Sequence, residues 1–245
     1  MARNVLVTGG SRGLGLAIAV RLVGAGYQVV AVARKETSAL TAAMEAAERA
    51  RPGALQFVPF DLAEIADLPQ LVKRVRHDVG PLWALVNNAA VGFDGALALM
   101  DTARIEQLVH LNTLAPIVLT KYVVRAMLAD GGGRIVNVAS IIGTTGYAGL
   151  SVYAATKASM LGFTRSLARE VGRMGVNVNA VAPGFLETDM THAMDDEQKR
   201  QVARRSALKR LPHVDDVADA VEFLLGDRAK SITGTVLTVD AGTTA

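Results

Sequence analysis

Tyr153 and Lys157 stand four positions apart in the run Tyr153-Ala154-Ala155-Thr156-Lys157. On a helix that spacing puts both side chains on one face, so phenol and ammonium project into the same cleft. A free phenol, with a pKa of about 10, is a poor acid–base group near neutrality. A neighbouring ammonium favours the phenolate and lowers that pKa. A drop of roughly three units corresponds to about 4 kcal/mol of differential interaction. Ser140 closes a short apolar run and offers a hydroxyl to a substrate carbonyl beside Tyr153. Tyr-x-x-x-Lys alone is common by chance, and a surface helix pair is its ordinary explanation.

A second group of residues is suited to an anion. Thr8-Gly9-Gly10-Ser11-Arg12-Gly13-Leu14-Gly15 follows the first strand-like run and opens a helical pattern. Glycine lets the backbone turn sharply and lie close to a pyrophosphate, and the helix N-terminus presents unpaired N–H groups to it. A glycine triplet alone is weak evidence, but here a second strand ends about 20 residues further on, as a dinucleotide site requires. Gly9, Ser11, Arg12, Gly13, Leu14 and Gly15 are therefore candidate cofactor contacts. The second strand ends in Val32-Ala33-Arg34-Lys35, with no carboxylate before Glu36. An NAD site places an Asp or Glu there for the ribose 2′-hydroxyl. Arg34, with Lys35 and Arg12, instead suits a 2′-phosphate, which favours NADP(H) over NAD(H). A solvated basic turn is the plain alternative. Asp61 and the adjoining Leu62 end the third strand, where the aspartate can accept from an adenine amino group or simply cap the strand end.

These residues need a scaffold, and the hydrophobic pattern describes one. Val-rich runs of strand length are Asn4–Thr8, Gln28–Ala33, Ala54–Phe60, Leu82–Asn87, Arg134–Ser140, Val176–Ala182 and Thr235–Asp240. Their near-continuous apolarity suits strands covered on both faces, as in a parallel sheet. Helical periodicity fills the intervals Leu14–Gly24, Ser38–Arg49, Ile65–Val79, Thr102–Leu128, Val152–Gly172 and Asp215–Leu225. The alternation predicts an α/β fold, a single doubly wound Rossmann domain over residues 1–245 with a seven-stranded parallel sheet and helices on both faces. The polar segment from Glu187 to Asp216 reads as an excursion of short helices, with Leu186 to Leu211 as a substrate lid or, more plainly, a solvated helix pair.

Composition narrows the function classes. Of 245 residues, 51% are hydrophobic and 23 are glycine, which excludes a disordered chain. The absence of cysteine excludes disulfides, thiolate zinc sites and cysteine nucleophiles. A net charge of +3 is too small to imply nucleic acid, and His77, His110, His192 and His213 lack metal-ligand spacing, so no metal is expected. The N-terminal run carries no signal-peptide pattern and no membrane span is evident, so a cytoplasmic protein is expected.

Together the motifs resemble the short-chain dehydrogenase/reductase family over nearly the whole chain. The cofactor motif is Thr8-Gly9-x-x-x-Gly13-x-Gly15. The fourth-strand motif is Asn87-Asn88-Ala89-Ala90, with Ala90 in place of the usual Gly. Asn112, in His110-Leu111-Asn112-Thr113, matches the catalytic asparagine; Ser140, Tyr153 and Lys157 complete a tetrad. Pro183-Gly184 and Thr188 match the stretch that contacts nicotinamide, and Asn88 and Ala89 fall at the adenosine ribose. The resemblance implies Tyr153 as general acid in reduction, Lys157 lowering its pKa and holding the nicotinamide ribose, Ser140 polarising the carbonyl, and Asn112 holding a relay water. Asn112 also reads as a helix-kinking residue that satisfies local backbone.

The segments Ala182–Thr191 and Ser166–Val171 are most similar to 3-oxoacyl-(acyl-carrier-protein) reductases, which implies a 3-oxoacyl thioester substrate on acyl-carrier protein or CoA, and a homotetramer. Where those enzymes carry basic docking residues, this chain has Asp130 and Gly131, and Met174 at a second position. Loss of those charges weakens steering of an acidic carrier. Two alternatives are an alcohol or steroid-type dehydrogenase, or general ketone reductase, of the same family, and a non-catalytic cofactor-binding regulator.

Overall fold

The computed structural model describes residues 3–186 and 196–245. Seven strands form one parallel sheet in the order β3-β2-β1-β4-β5-β6-β7. They are β1 Asn4–Thr8, β2 Gln28–Ala33, β3 Leu55–Pro59, β4 Leu82–Asn87, β5 Gly133–Val138, β6 Val176–Pro183 and β7 Val236–Val239. The helices are α1 Gly13–Gly24, α2 Ser38–Ala50, α3 Leu68–Val79, α4 Thr102–Val109, α5 Ala115–Ala129, α6 Ile142–Thr145, α7 Ser151–Val171, α8 Asp196–Arg205 and α9 Val214–Leu225. The expected strands and helices are thus present, with β5 ending two residues before Ser140.

Successive strand residues face opposite sides, and both sides are covered. Val5 and Val7 pack with Ile18 and Leu22 of α1 and Val217, Val221 and Leu224 of α9. Leu6 and Leu85 pack on the other face with Val75 of α3, Leu119 and Val123 of α5, and Leu167 of α7. The order reverses between β1 and β4, so their carboxyl ends open the crevice where such sheets hold ligands.

One expectation needs correction. The continuous helix expected over Thr102–Leu128 is broken into α4 and α5 by a π-turn at His110–Leu114. Pro116 supplies a reason: it has no N–H, so the carbonyl of Asn112, four residues back, cannot receive its regular α-helical bond. Such turns interrupt helices where function needs a displaced backbone.

Of the expected lid, residues 187–195, including Thr188, lie outside the described residues. The far end of that segment is fastened: Ala207 N donates to Gly242 O at 3.2 Å and Leu208 N to Ala241 O at 3.0 Å. Both acceptors lie just past β7 at the carboxyl end of the sheet.

Candidate active site

The ends of β1 and β4 are stitched together. The Thr8 hydroxyl oxygen accepts from the backbone N–H groups of Asn88 (2.9 Å) and Ala89 (3.1 Å). Asn88 Nδ2 donates to Thr8 O at 2.9 Å and to Gly9 O at 3.4 Å. Asn88, expected as a cofactor contact, therefore spends its amide shaping the glycine loop. Ala89 lies beneath that loop, since a Cβ on Gly9 would sit 2.9 Å from Ala89 Cα. Gly9 takes φ +66°, and a methyl on Gly15 would fall 2.1 Å from Gly9 O. Ala90 is not among the positive-φ residues, so its replacement of glycine carries no backbone strain.

The loop leads into α1, whose N-terminus has no side-chain cap and no acidic residue in its first turn. Its first N–H groups lack intrahelical acceptors, and its positive dipole end carries no carboxylate from its own first turn. Gly13 and Leu14 begin the helix beside Arg12, and the Ser11 carbonyl accepts from the Thr37 hydroxyl, which ties the loop to the start of α2. Arg34 and Lys35 stand exposed beyond β2. A glycine cradle, an uncapped helix N-terminus and cations past the second strand fit a dinucleotide carrying an extra phosphate. Asp61 Oδ1 accepts from Ala63 N at 3.0 Å, the capping role weighed for it, and Leu62 is buried in the core.

Across the crevice, α7 brings Tyr153 and Lys157 together, with Lys157 Nζ 5.7 Å from the centre of the Tyr153 ring. Lys157 is buried and donates from Nζ to Val138 O at 2.9 Å. Gly143 of α6 permits this burial, because a Cβ there would meet Ala158 N and the Lys157 carbonyl carbon at 2.9 Å. Burial lowers the Lys157 ammonium from its ordinary 10.5 to about 8. Burial pushes the Tyr153 phenol up to about 12, and the Ser140 hydrogen bond opposes it only partly. In the chain itself the phenol therefore moves opposite to the sequence expectation, because burial disfavours the phenolate more than the Ser140 hydrogen bond favours it. Ser140 Oγ also accepts from Ile142 N at 3.2 Å, which orients the hydroxyl beside Tyr153.

Asn112 lies in the π-turn and is buried. Its Oδ1 accepts from Val91 N at 2.9 Å, and its Nδ2 donates to Val91 O at 2.8 Å and to Thr156 Oγ1 at 3.3 Å. The side chain thus pins the loop after β4 to the helix turn bearing Tyr153 and Lys157. Its amide bonds go to Val91 and Thr156. Pro183 O accepts from Ile141 N at 3.1 Å, and Gly184 allows close approach of β7's end, where a Cβ would lie 2.8 Å from Asp240 Cβ. Val91, Val138, Gly143 and Thr156 were not singled out by sequence reasoning. Only Gly143 carried a signal, as a glycine close after Ser140. Among the described residues no group of three or more His, Asp or Glu side chains suits a metal ion.

Residues 3–199 match the family model of the short chain dehydrogenases. The chain belongs to that family. It is 38% identical, over 97% of its length and 95% of the relative's, to the 3-oxoacyl-[acyl-carrier-protein] reductase FabG of Salmonella typhimurium. It is 35% identical, over 99% and 98%, to the acetoacetyl-CoA reductase of Allochromatium vinosum. A short chain dehydrogenase of Burkholderia cenocepacia, solved in complex with NADP, superposes with a TM-score of 0.92 at 36% identity, covering 99% of this chain and 98% of that one. As a short chain dehydrogenase the chain is an oxidoreductase.

Proposed function

We propose that this chain is an NADPH-dependent reductase that converts the ketone of a 3-oxoacyl thioester to the 3-hydroxyacyl product. The observation that carries this reading is the geometry on α7, where the buried Lys157 Nζ lies 5.7 Å from the centre of the Tyr153 ring and the Ser140 hydroxyl is held beside the phenol. Bound NADPH supplies the hydride. The protein's part is to hold and protonate the carbonyl. Ser140 donates a hydrogen bond to the substrate oxygen, and Tyr153 gives its proton to that oxygen as negative charge develops. Lys157 lowers the cost of the phenolate left behind, since an ammonium favours the charged form. A neutral phenol suits reduction, where the acid must begin protonated.

Arg34, Lys35 and Arg12 would hold the 2′-phosphate, and Asn112 with Thr156 would keep the relay path beside Lys157 in place. The reductase of Salmonella typhimurium and the acetoacetyl-CoA reductase of Allochromatium vinosum support a thioester substrate. Asp130 is paired with Arg76 at 3.0 Å and Met174 is exposed, which disfavours docking of an acidic carrier at those two positions and favours the CoA thioester. One domain, a cytoplasmic location and a homotetramer belong to the same reading. Exposed Val109, Leu114 and Leu128 along the α4–α5 stretch are apolar surface for such an assembly.

The test is NADPH oxidation with acetoacetyl-CoA, run beside acetoacetyl-carrier protein and a free ketone. Turnover of the CoA thioester at or above the carrier rate is expected. Activity on the free ketone alone would replace the thioester reading with a general ketone reductase.

A further inference from the structure

β5 runs Gly133-Arg134-Ile135-Val136-Asn137-Val138 and every residue in it is buried. An amide in the middle of such a strand is costly unless its hydrogen bonds are met. Asn137 is fully buried, and its bonds are met in one specific way. Its Oδ1 accepts from Asn87 Nδ2 at 2.8 Å, and its Nδ2 donates to Thr164 Oγ1 at 2.8 Å. The Thr164 hydroxyl proton is directed to Met160 O at 2.7 Å. Thr164 can therefore only accept from Asn137, which fixes the orientation of the amide. Asn87, paired with Asn137 across β4 and β5, also donates to Thr120 Oγ1 at 2.9 Å.

These bonds join the elements that carry the chemistry. Thr164 is on α7 with Tyr153 and Lys157, Thr120 is on α5 directly after the π-turn of Asn112, and β5 leads to Ser140. Thr164 follows Lys157 by seven residues, two helical turns, so both lie on one face of α7, about 10 Å apart along the axis. That face is fastened to adjacent residues of β5: Lys157 to the Val138 carbonyl, and Thr164 to the Asn137 side chain. Thr156 and Ser159 of α7 bond the π-turn at Asn112 and Thr113, and the core packing of Leu167, Ala168 and Val171 is apolar and non-directional. Against the sheet, the bonds of Lys157 and Thr164 to β5 fix the rotation and register of α7 where apolar packing leaves small slides inexpensive.

We propose that Asn137 is a positioning residue for the reduction, holding α7 through Thr164, and α5 through Asn87 and Thr120, so that Tyr153, Lys157 and Asn112 meet one substrate geometry. This rests on the reading of Tyr153 and Lys157 as the reacting pair. Misplacement of a reacting group by about 1 Å can cost roughly a hundredfold in rate.

The test is Thr164→Val, nearly isosteric and lacking the hydroxyl that accepts from Asn137 and donates to Met160 O, with Thr164→Ala as a second variant and Thr164→Ser as the conservative rescue. With acetoacetyl-CoA as probe, Thr164→Val is expected to lower kcat by roughly tenfold or more. KM for NADPH should stay near the wild-type value, and Thr164→Ser should restore most of the rate. A Thr164→Val or Thr164→Ala protein that keeps wild-type kcat while losing only thermal stability would overturn the proposal, leaving Asn137 a merely structural residue. If wild type reduces no thioester, the thioester reading fails separately, and the pH midpoint of NADPH binding, followed by nucleotide fluorescence, becomes the readout. Tyr153 on α7, the Val138 carbonyl of β5 and backbone at Gly143 of α6 face Lys157. A midpoint unchanged in Thr164→Val would overturn the positioning role, and a midpoint moved up toward that of ordinary lysine would support it.

Discussion

Lys157 donates its buried ammonium to the carbonyl oxygen of Val138 at 2.9 Å. A single neutral acceptor does not offset the loss of hydration, so the ammonium is lowered to about 8 from 10.5. Between those two pH values the unfolded chain binds a proton that the folded chain has released. Stability therefore rises as pH increases through that window, and the burial cost is fully present below it. Lys157→Met should raise unfolding stability at pH 7 by up to about 3 kcal/mol while abolishing reduction. It should also remove the gain in stability between neutral pH and the lysine's ordinary range. Urea unfolding of both proteins at neutral and alkaline pH checks the sign.

The Tyr153 phenol, at about 12, stays protonated across the neutral range. Reduction should hold steady through neutral pH and fall on the alkaline side as Lys157 discharges near 8. Tyr153→Phe should lower kcat by roughly a hundredfold to ten-thousandfold, the range for loss of a general acid, with NADPH affinity little changed. Steady-state rates across pH, with NADPH titrations of the variant, measure both. Surviving turnover would assign the proton to another group.

Arg34 is exposed at the end of β2, where the second-strand carboxylate of an NAD site is missing. Arg34→Glu should weaken NADPH binding by about 1.5–3 kcal/mol, the range for a hydrogen bond to a charged group, and leave NADH binding nearly unchanged. Equal losses for the two nucleotides would remove Arg34 from the 2′-phosphate contact.

Asn112 makes three side-chain bonds, two of them to the backbone of Val91. Asn112→Ala should cost about 2–3 kcal/mol, because both Val91 groups lose their partner. Since the loop after β4 and the turn bearing Lys157 are then uncoupled, kcat should fall more than KM rises. Thermal unfolding and steady-state kinetics on one preparation separate the two effects.

Sequence alone determined the order and type of the elements. Val-rich runs buried on both faces and intervening amphipathic helices leave few alternatives to a parallel, doubly wound sheet, and β1, β2 and β4 begin and end at the expected residues. It also named candidate residues for the chemistry, since Tyr153 and Lys157 need only helical spacing and Gly9, Gly13 and Gly15 need only a tight turn. Local pattern did not reveal how those groups are partnered. The Val138 carbonyl that holds Lys157 is a backbone atom of an ordinary strand residue. Asn137 meets Thr164 and Asn87 only when β4, β5 and α7 assemble. The direction of the Tyr153 shift likewise depends on how much water the folded crevice excludes, and the π-turn at Asn112 on a missing donor at Pro116 set against tertiary bonds to Val91. Pattern travels along the chain, whereas burial and hydrogen-bond partnership arise between segments far apart in it, so these features were decided only by the tertiary structure.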